Sequence, residues 1–352
     1  MIKPENQFYI FGMGHREKYV YKNGMLIKAK TNEIVYSWDV DHEKFLFDRY
    51  TVIIWTKEKE IYIITENEEG LFVRHTNNSV AEGEIIDEIF LAKSKINLPC
   101  FEEYKYSEQL RILHQEILVS FLDKTPVPNF YVYDTAWYRD GAMMALVLER
   151  TGNIELLRDW ALSVTELYDK NNKGNCEPDN LGQLAYVLSF FVDKDYKIVK
   201  EIVAEAKRIS KNGVLTGMTD YGHHEIYSTL WLKFGLNKLG IDTSFISIPK
   251  EFDNYARMFW MDRSGIETET HYENEYNEWY PYLWWAVKHF ENEPIEEKYL
   301  EIKYPMSWEI CASEAKYERI KPLSEEYARS KCGAPHSWHA SEMFMYLIEM
   351  KK

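Results

Sequence analysis

The period of the apolar pattern changes once along the chain, near Pro99, and that change limits the folds open to it. From Gln7 to about Ala92, short runs rich in Val, Ile, Tyr and Phe are bounded by turn residues. They are Gln7 to Phe11, Lys18 to Tyr21, Met25 to Lys30, Glu33 to Asp39, Thr51 to Thr56, Ile61 to Thr65 and Leu71 to His75. Such runs predict an antiparallel β-meander. Asn23-Gly24 lies between two of them and supplies the positive φ angles of a tight type I′ turn. Lys57 to Glu60 and Glu66 to Gly70 read as two further hairpin connections.

Beyond Pro99 the spacing is three and four. Leu110, Leu113, Ile117 and Phe121 predict a helix that Ser107 can cap and that ends near Leu122, ahead of Pro126 and Pro128. Further helices are expected at about 140 to 150, 154 to 169, 180 to 192, 196 to 210, 225 to 239, 251 to 260, 279 to 291 and 338 to 350. In the stretch from 196, Ile198, Ile202, Ala206 and Ile209 form one apolar stripe. The connections alternate in character. Thr151-Gly152-Asn153 is short, whereas 124 to 138, 170 to 179, 211 to 224 and 261 to 278 are long and dense in Tyr, Trp, Asp, Glu and His. Plain loops on one rim and chemically rich loops on the other are what a barrel of helical hairpins would present.

Composition removes several classes of function. The net charge of −15 repels nucleic-acid phosphates and anionic lipid, and Lys and Arg are scattered without a basic patch, so neither a nucleic acid nor a membrane is an expected partner. No segment approaches the roughly 18 to 20 uncharged apolar residues of a membrane span. Glu5 and Asn6 stand where a signal peptide would be apolar. Cys100, Cys176, Cys311 and Cys332 are far apart and form no CxxC pair, so they read as reduced thiols of a cytoplasmic protein. No metal and no cofactor is expected. Aromatic residues reach 15%, and amphipathic rings serve both core edges and the stacking of flat C–H faces such as those of sugars.

The rich loops supply the candidate site residues. Trp137-Tyr138-Arg139-Asp140 runs straight into a helix and combines a stacking plane, a fork of donors and an acceptor, a set suited to a polyol. A helix cap at Asp140 with a salt bridge from Arg139 accounts for the same residues. Glu177, Asp179 and Asn180 again gather polar groups at a helix entry. One of Asp179 and Asn180 can be an N-cap, while Glu177 needs another explanation. His223-His224-Glu225 precedes the helix of 226 to 239. Adjacent side chains rarely converge on one metal, so a carboxylic acid at the mouth of a site is the better reading. Desolvated among aromatics, Glu225 would donate a proton near neutral pH. The segment from Glu267 to Tyr282 and that from Tyr304 to Tyr317, with Trp308, Glu309 and Glu314, add further acids, and Trp338 lies just before the last helix.

Trp137-Tyr138-Arg139-Asp140 resembles the Trp-x-Arg-Asp motif of glucoamylase-like enzymes among the six-hairpin glycosidases. Pro335-His336-Ser337-Trp338-His339-Ala340 resembles the Pro-x-x-Trp-x-Ala segment that opens their last helix. The resemblance implies a mainly α fold, an (α/α)6 barrel over 99–352 preceded by a small antiparallel β-domain over 1–98. It implies that Arg139 and Asp140 bind sugar hydroxyls with Trp137 and Tyr138 nearby, and that Asp179 and Asn180 stand at the start of the fourth helix. Glu225 falls near the family's general acid, with Glu177 and Asp179 as the other catalytic candidates and His224 and Trp338 as contacts. The base is left open among Glu309, Glu314 and Glu325. The expected activity is hydrolysis of short oligosaccharides by an inverting pair of carboxylates roughly 6.5 to 9.5 Å apart. Three other readings stay open: a sugar epimerase using His224, His271, His336 or His339, a polysaccharide lyase, and a non-catalytic carbohydrate-binding protein.

Overall fold

Alternation in the first ninety residues folds into two antiparallel sheets. β1 (Tyr9–Phe11), β2 (Tyr19–Lys22), β3 (Met25–Lys28) and β4 (Glu33–Ser37) form one, in sequential order. β5 (Val40–Leu46), β6 (Thr51–Thr56), β7 (Ile61–Glu66), β8 (Gly70–Thr76) and β9 (Ile85–Lys93) form the other, also in order. Asn23 and Gly24 have φ of 48° and 73°, the conformation a two-residue type I′ turn demands. The computed structural model describes residues 8–76, 85–220, 222–248, 300–312 and 314–352. The expected helices at 251 to 260 and 279 to 291, and the acidic segment from Glu267 to Tyr282 with His271, lie outside the described residues.

The chain divides into two units. The sheet unit comprises 3–134, 147–156 and 301–352, and the helical unit 135–146 and 157–300. In the sheet unit, Val52, Ile54, Ile64 and Leu71 are buried on one face of the larger sheet. The loop between β1 and β2 is tied to the end of β7, where buried Glu66 accepts from the Gly12 amide at 2.9 Å, the Met13 amide at 2.7 Å and Arg16 Nη1 at 2.9 Å. The helix α1 (Ser107–Leu118) buries Leu110, Leu113 and Ile117 as their spacing requires, and it packs against α8 (Ser337–Leu347). Tyr106, not Ser107, occupies its N-cap position, and its side chain makes no capping bond. A buried carboxylate, Glu116, pins the segment ahead of Trp308 by accepting from the Met306 amide and from the amide and hydroxyl of Ser307.

In the helical unit, α4 (Asp179–Leu188) is buried along its whole length and crosses α6 (Glu225–Lys238). α5 (Lys197–Ile209) lays Ile198, Ile202 and Ala206 inward, as the stripe predicts. α2 (Tyr138–Arg150) has its first nine residues in this unit and its last four in the sheet unit.

The fold is not the mainly α barrel expected from the sequence. The described residues carry fifteen strands alongside eight α-helices, two of which, α3 (Arg158–Ser163) and α7 (Glu325–Arg329), are six and five residues long. Two physical causes stand out. The helical period over 154 to 169 is interrupted at Val164, whose ψ of 128° is extended, so a 3-10 turn and one short helix replace the long helix. Helices α1 and α5 run into two-residue hairpins, β10 (Phe121–Leu122) with β11 (Thr125–Pro126) and β12 (Ser210–Lys211) with β13 (Val214–Leu215), and β14 (Glu309–Ile310) pairs with β15 (Cys332–Gly333). The protein is a mixed α and β chain.

Candidate functional site

In the helical unit, the first turn of α2 carries Arg139 and Asp140, both buried. The amide of Tyr138, which opens that helix, donates to Asp169 Oδ2 at 2.7 Å, and the Asn171 amide donates to Asp169 Oδ1 at 3.1 Å. A carboxylate from a distant loop therefore serves a helix N-terminus, where exposed N–H groups and the helix dipole favour an anion. Arg139 is 3% exposed, and its fork is occupied by the chain's own acids: Nε donates to Asp179 Oδ2 and Nη2 to Glu177 Oε2, each at 3.0 Å.

Asp179 begins α4, yet neither it nor Asn180 caps the helix, since Pro178 holds the N-cap position without a side-chain bond. Asp179 Oδ2 also accepts from Gln183 Nε2 at 2.7 Å, and Oδ1 accepts from the Thr219 hydroxyl at 3.4 Å. Asn180 Oδ1 accepts from the Asp169 amide at 3.2 Å. Glu177 Oε1 accepts from Asn172 Nδ2 at 3.1 Å and from the Asp220 amide, while Asn172 Nδ2 also reaches the Asp220 carbonyl at 2.9 Å. These bonds are the explanation that Glu177 required.

Two carboxylates, on Glu177 and Asp179, thus share one guanidinium, while Asp169 is held by backbone amides. Burial pushes the Glu177 carboxyl above its ordinary value; Arg139 opposes that shift and the charge of Asp179 adds to it. Burial raises Asp169 as well, against the pull of the amides of Tyr138 and Asn171. Glu177 and Asp169 keep their protons more readily than free carboxylates do.

The same cluster grips the chain just ahead of α6. Thr219 and Gly222 exchange two backbone hydrogen bonds at 2.9 and 3.2 Å, closing a tight loop in which Asp220 has a φ of 58°. That loop hangs on Asp179 through the Thr219 hydroxyl and on Glu177 through the Asp220 amide. His223 follows, His224 takes the N-cap position of α6, and half-buried Glu225 is its first residue. The Ser228 hydroxyl bonds that of Thr219 at 2.9 Å and so ties the first turn of α6 back to the loop.

The structure therefore gathers Arg139, Glu177, Asp179 and Asn180 into one network and hangs the approach to His224 and Glu225 from it. Trp137 is half-buried beside the start of α2, and the Tyr138 hydroxyl donates to the Glu166 carbonyl at 2.9 Å. Trp338 belongs to the sheet unit, next to His339. Sequence reasoning missed Asp169, Asn172, Gln183 and Thr219. A Tyr-Asp-Lys-Asn-Asn run ahead of Glu177 is the one local signal that could have singled out the first two. Among the described residues, no three His, Cys, Asp or Glu side chains are placed to hold a metal ion, and no helix is long and apolar enough to cross a membrane. No protein family, curated protein or solved structure matches the chain.

Proposed function

We propose that the chain is a glycoside hydrolase acting on short neutral oligosaccharides, with Glu225 as proton donor. The observation that carries this reading is the buried network of Arg139, Glu177 and Asp179. It spends its hydrogen bonds on Thr219 and Asp220, immediately before the His223-His224-Glu225 turn. A fixed scaffold under a half-exposed carboxyl is what general acid catalysis requires, because proton transfer to a leaving oxygen is sensitive to small displacements. In this reading Arg139, Glu177 and Asp179 are positioning residues. Glu225 protonates the glycosidic oxygen, and a second carboxylate activates water on the opposite face of the ring. Trp137 supplies a stacking plane. The Trp-x-Arg-Asp and Pro-x-x-Trp-x-Ala segments and the acidic balance support a neutral sugar substrate. All four cysteines are free thiols, which supports a cytosolic setting and short imported substrates.

One observation favours a second reading, a non-catalytic protein whose acids only fix loops: the Nε and Nη2 of Arg139 are bound by the chain's own carboxylates. A panel of α- and β-linked di- and oligosaccharides, followed by proton NMR of the anomeric region with wild type and Glu225→Gln, separates the two. Hydrolysis by wild type with an inverted first product, and a loss of about a hundredfold or more in the variant, is the expected result. No hydrolysis of any member by wild type removes the enzyme reading.

A further inference from the structure

Four of the eight large apolar side chains exposed among the described residues fall within six consecutive positions of β9. Ile85, Ile86, Ile89 and Phe90 are 51, 58, 41 and 44% exposed. β9 is an edge of the larger sheet, and its outer side pairs with no described strand. The other edge is built differently. In β5 the exposed positions are Asp41, His42 and Lys44, and no large apolar residue is among them. Polar residues along an open edge keep other strands away, whereas apolar residues on both faces are the pattern of a strand inside a sheet.

The register with β8 sorts the side chains of β9 by face. Glu88, Phe90 and Lys93 stand across from Arg74, Phe72 and Gly70, so these three share one face; Asp87 and Ile89, across from His75 and Val73, share the other. Leu91 is an extra residue at a bulge, which is why Lys93, five positions after Glu88, returns to the same face. An acid, an aromatic ring and a base therefore follow in order along that face. Phe90 packs on Phe72 with ring centroids 4.2 Å apart, and Lys93 Nζ lies 4.5 Å from the Phe90 centroid. Glu88 is paired with Arg74, while Lys93 makes no ion pair with any described residue.

We infer that β9 is the interface of a homodimer, in which the same strand of a second copy pairs with it antiparallel across a two-fold axis beside Phe90. An acid-to-base order along one strand matches its own reverse. Antiparallel pairing sets Lys93 of each copy opposite Glu88 of the other, twice, on one face of a sheet continuous through both copies. The two Phe90 rings flank the axis on that face, and Ile89 of each copy adds apolar contact on the other. Parallel pairing in register would instead set Glu88 beside Glu88 and Lys93 beside Lys93. The charges that turn other strands away thus select this one. The surface lies wholly in the sheet unit and makes no use of Glu225 or of the hydrolysis proposed for it.

The test is sedimentation velocity on the full chain at concentrations up to about 100 µM, where micromolar interfaces are populated. Wild type sediments as a dimer. Lys93→Glu sets acid opposite acid at both ends of the pairing and weakens the dimer about tenfold or more, and Glu88→Lys sets base opposite base with the same result. An equimolar mixture of the two variants restores the dimer, because one chain then carries only acids at 88 and 93 and the other only bases. Lys44→Glu, on the opposite edge, leaves the dimer unchanged. Circular dichroism reads the fold of each variant, and Lys93→Glu alone decides if Glu88→Lys, which gives up its bond to Arg74, loses the fold. A wild type that stays monomeric, a Lys93→Glu chain that associates as wild type does, or a mixture of the two folded variants that stays monomeric would overturn the proposal.

Discussion

Gly182 of α4 and Gly235 of α6 meet backbone to backbone. A Cβ on Gly182 would stand 2.2 Å from the Leu232 amide nitrogen, and one on Gly235 would stand 2.5 Å from the Gly182 carbonyl oxygen. Neither atom can yield without moving a helix. In an exposed helix Gly→Ala is expected to stabilise by about 1 kcal/mol. Here Gly182→Ala destabilises instead, by about 3 kcal/mol, the upper end of the overpacking range. Urea unfolding decides the sign, and a raised midpoint would show that the two helices can separate without penalty.

Removing Arg139 leaves Glu177 and Asp179 buried without their counter-charge. Arg139→Met is expected to cost about 3 to 5 kcal/mol, the range for breaking a buried pair from one side. Adding Glu177→Gln and Asp179→Asn to the same chain recovers part of the loss, because neutral amides no longer need the cation. Chemical denaturation of the single and triple variants measures this, and additivity of the three changes would contradict the coupling.

Two buried groups shape the acid limb with opposite signs. Burial between Phe101 and Phe344 lowers His114 from 6.5 to about 3. The unfolded chain then binds the extra proton between those values, so stability rises with pH from about 3 to 6.5 and is lost on acidification. Glu177 is raised above 4.5, so the folded chain binds the extra proton from 4.5 up to its folded value, and stability falls as pH climbs through that window. His114→Phe therefore flattens the acid limb and Glu177→Gln steepens it. Thermal melts across pH 3 to 7 read both slopes directly.

Positioning and chemistry separate in the kinetics of the proposed hydrolase. Glu225→Gln lowers kcat by about a hundredfold or more. Glu177→Gln displaces the loop that precedes Glu225, lowering kcat/KM about tenfold, since the acid is misplaced but still present. A larger loss of kcat in Glu177→Gln than in Glu225→Gln, measured by steady-state kinetics, would exchange the two roles.

Much of the local structure was legible. β6, β7 and β8 lie within a residue or so of their alternating runs, and the Asn23-Gly24 turn follows from its dipeptide. β5 and β9 were not found, for one physical reason. They are the two edges of the larger sheet, and edge strands carry charges that blunt further pairing, here Asp41 to Lys44 and Asp87-Glu88, which hide the alternation.

For the helices and the site, the sequence by itself determined which residue types stand where: an apolar stripe on α5, an Arg-Asp pair opening α2, acids and amides opening α4, and His-His-Glu opening α6. Only the tertiary structure decided the number and length of the helices, because an extended Val164 and a series of two-residue hairpins break a period that continues on paper. It also decided that Arg139 spends its fork on Glu177 and Asp179, 38 and 40 residues away, and that Asp169 serves the start of α2. Charge neutralisation and desolvation act through space, and a buried acid takes whichever donor the fold brings within 3 Å, a choice that spacing along the chain does not encode.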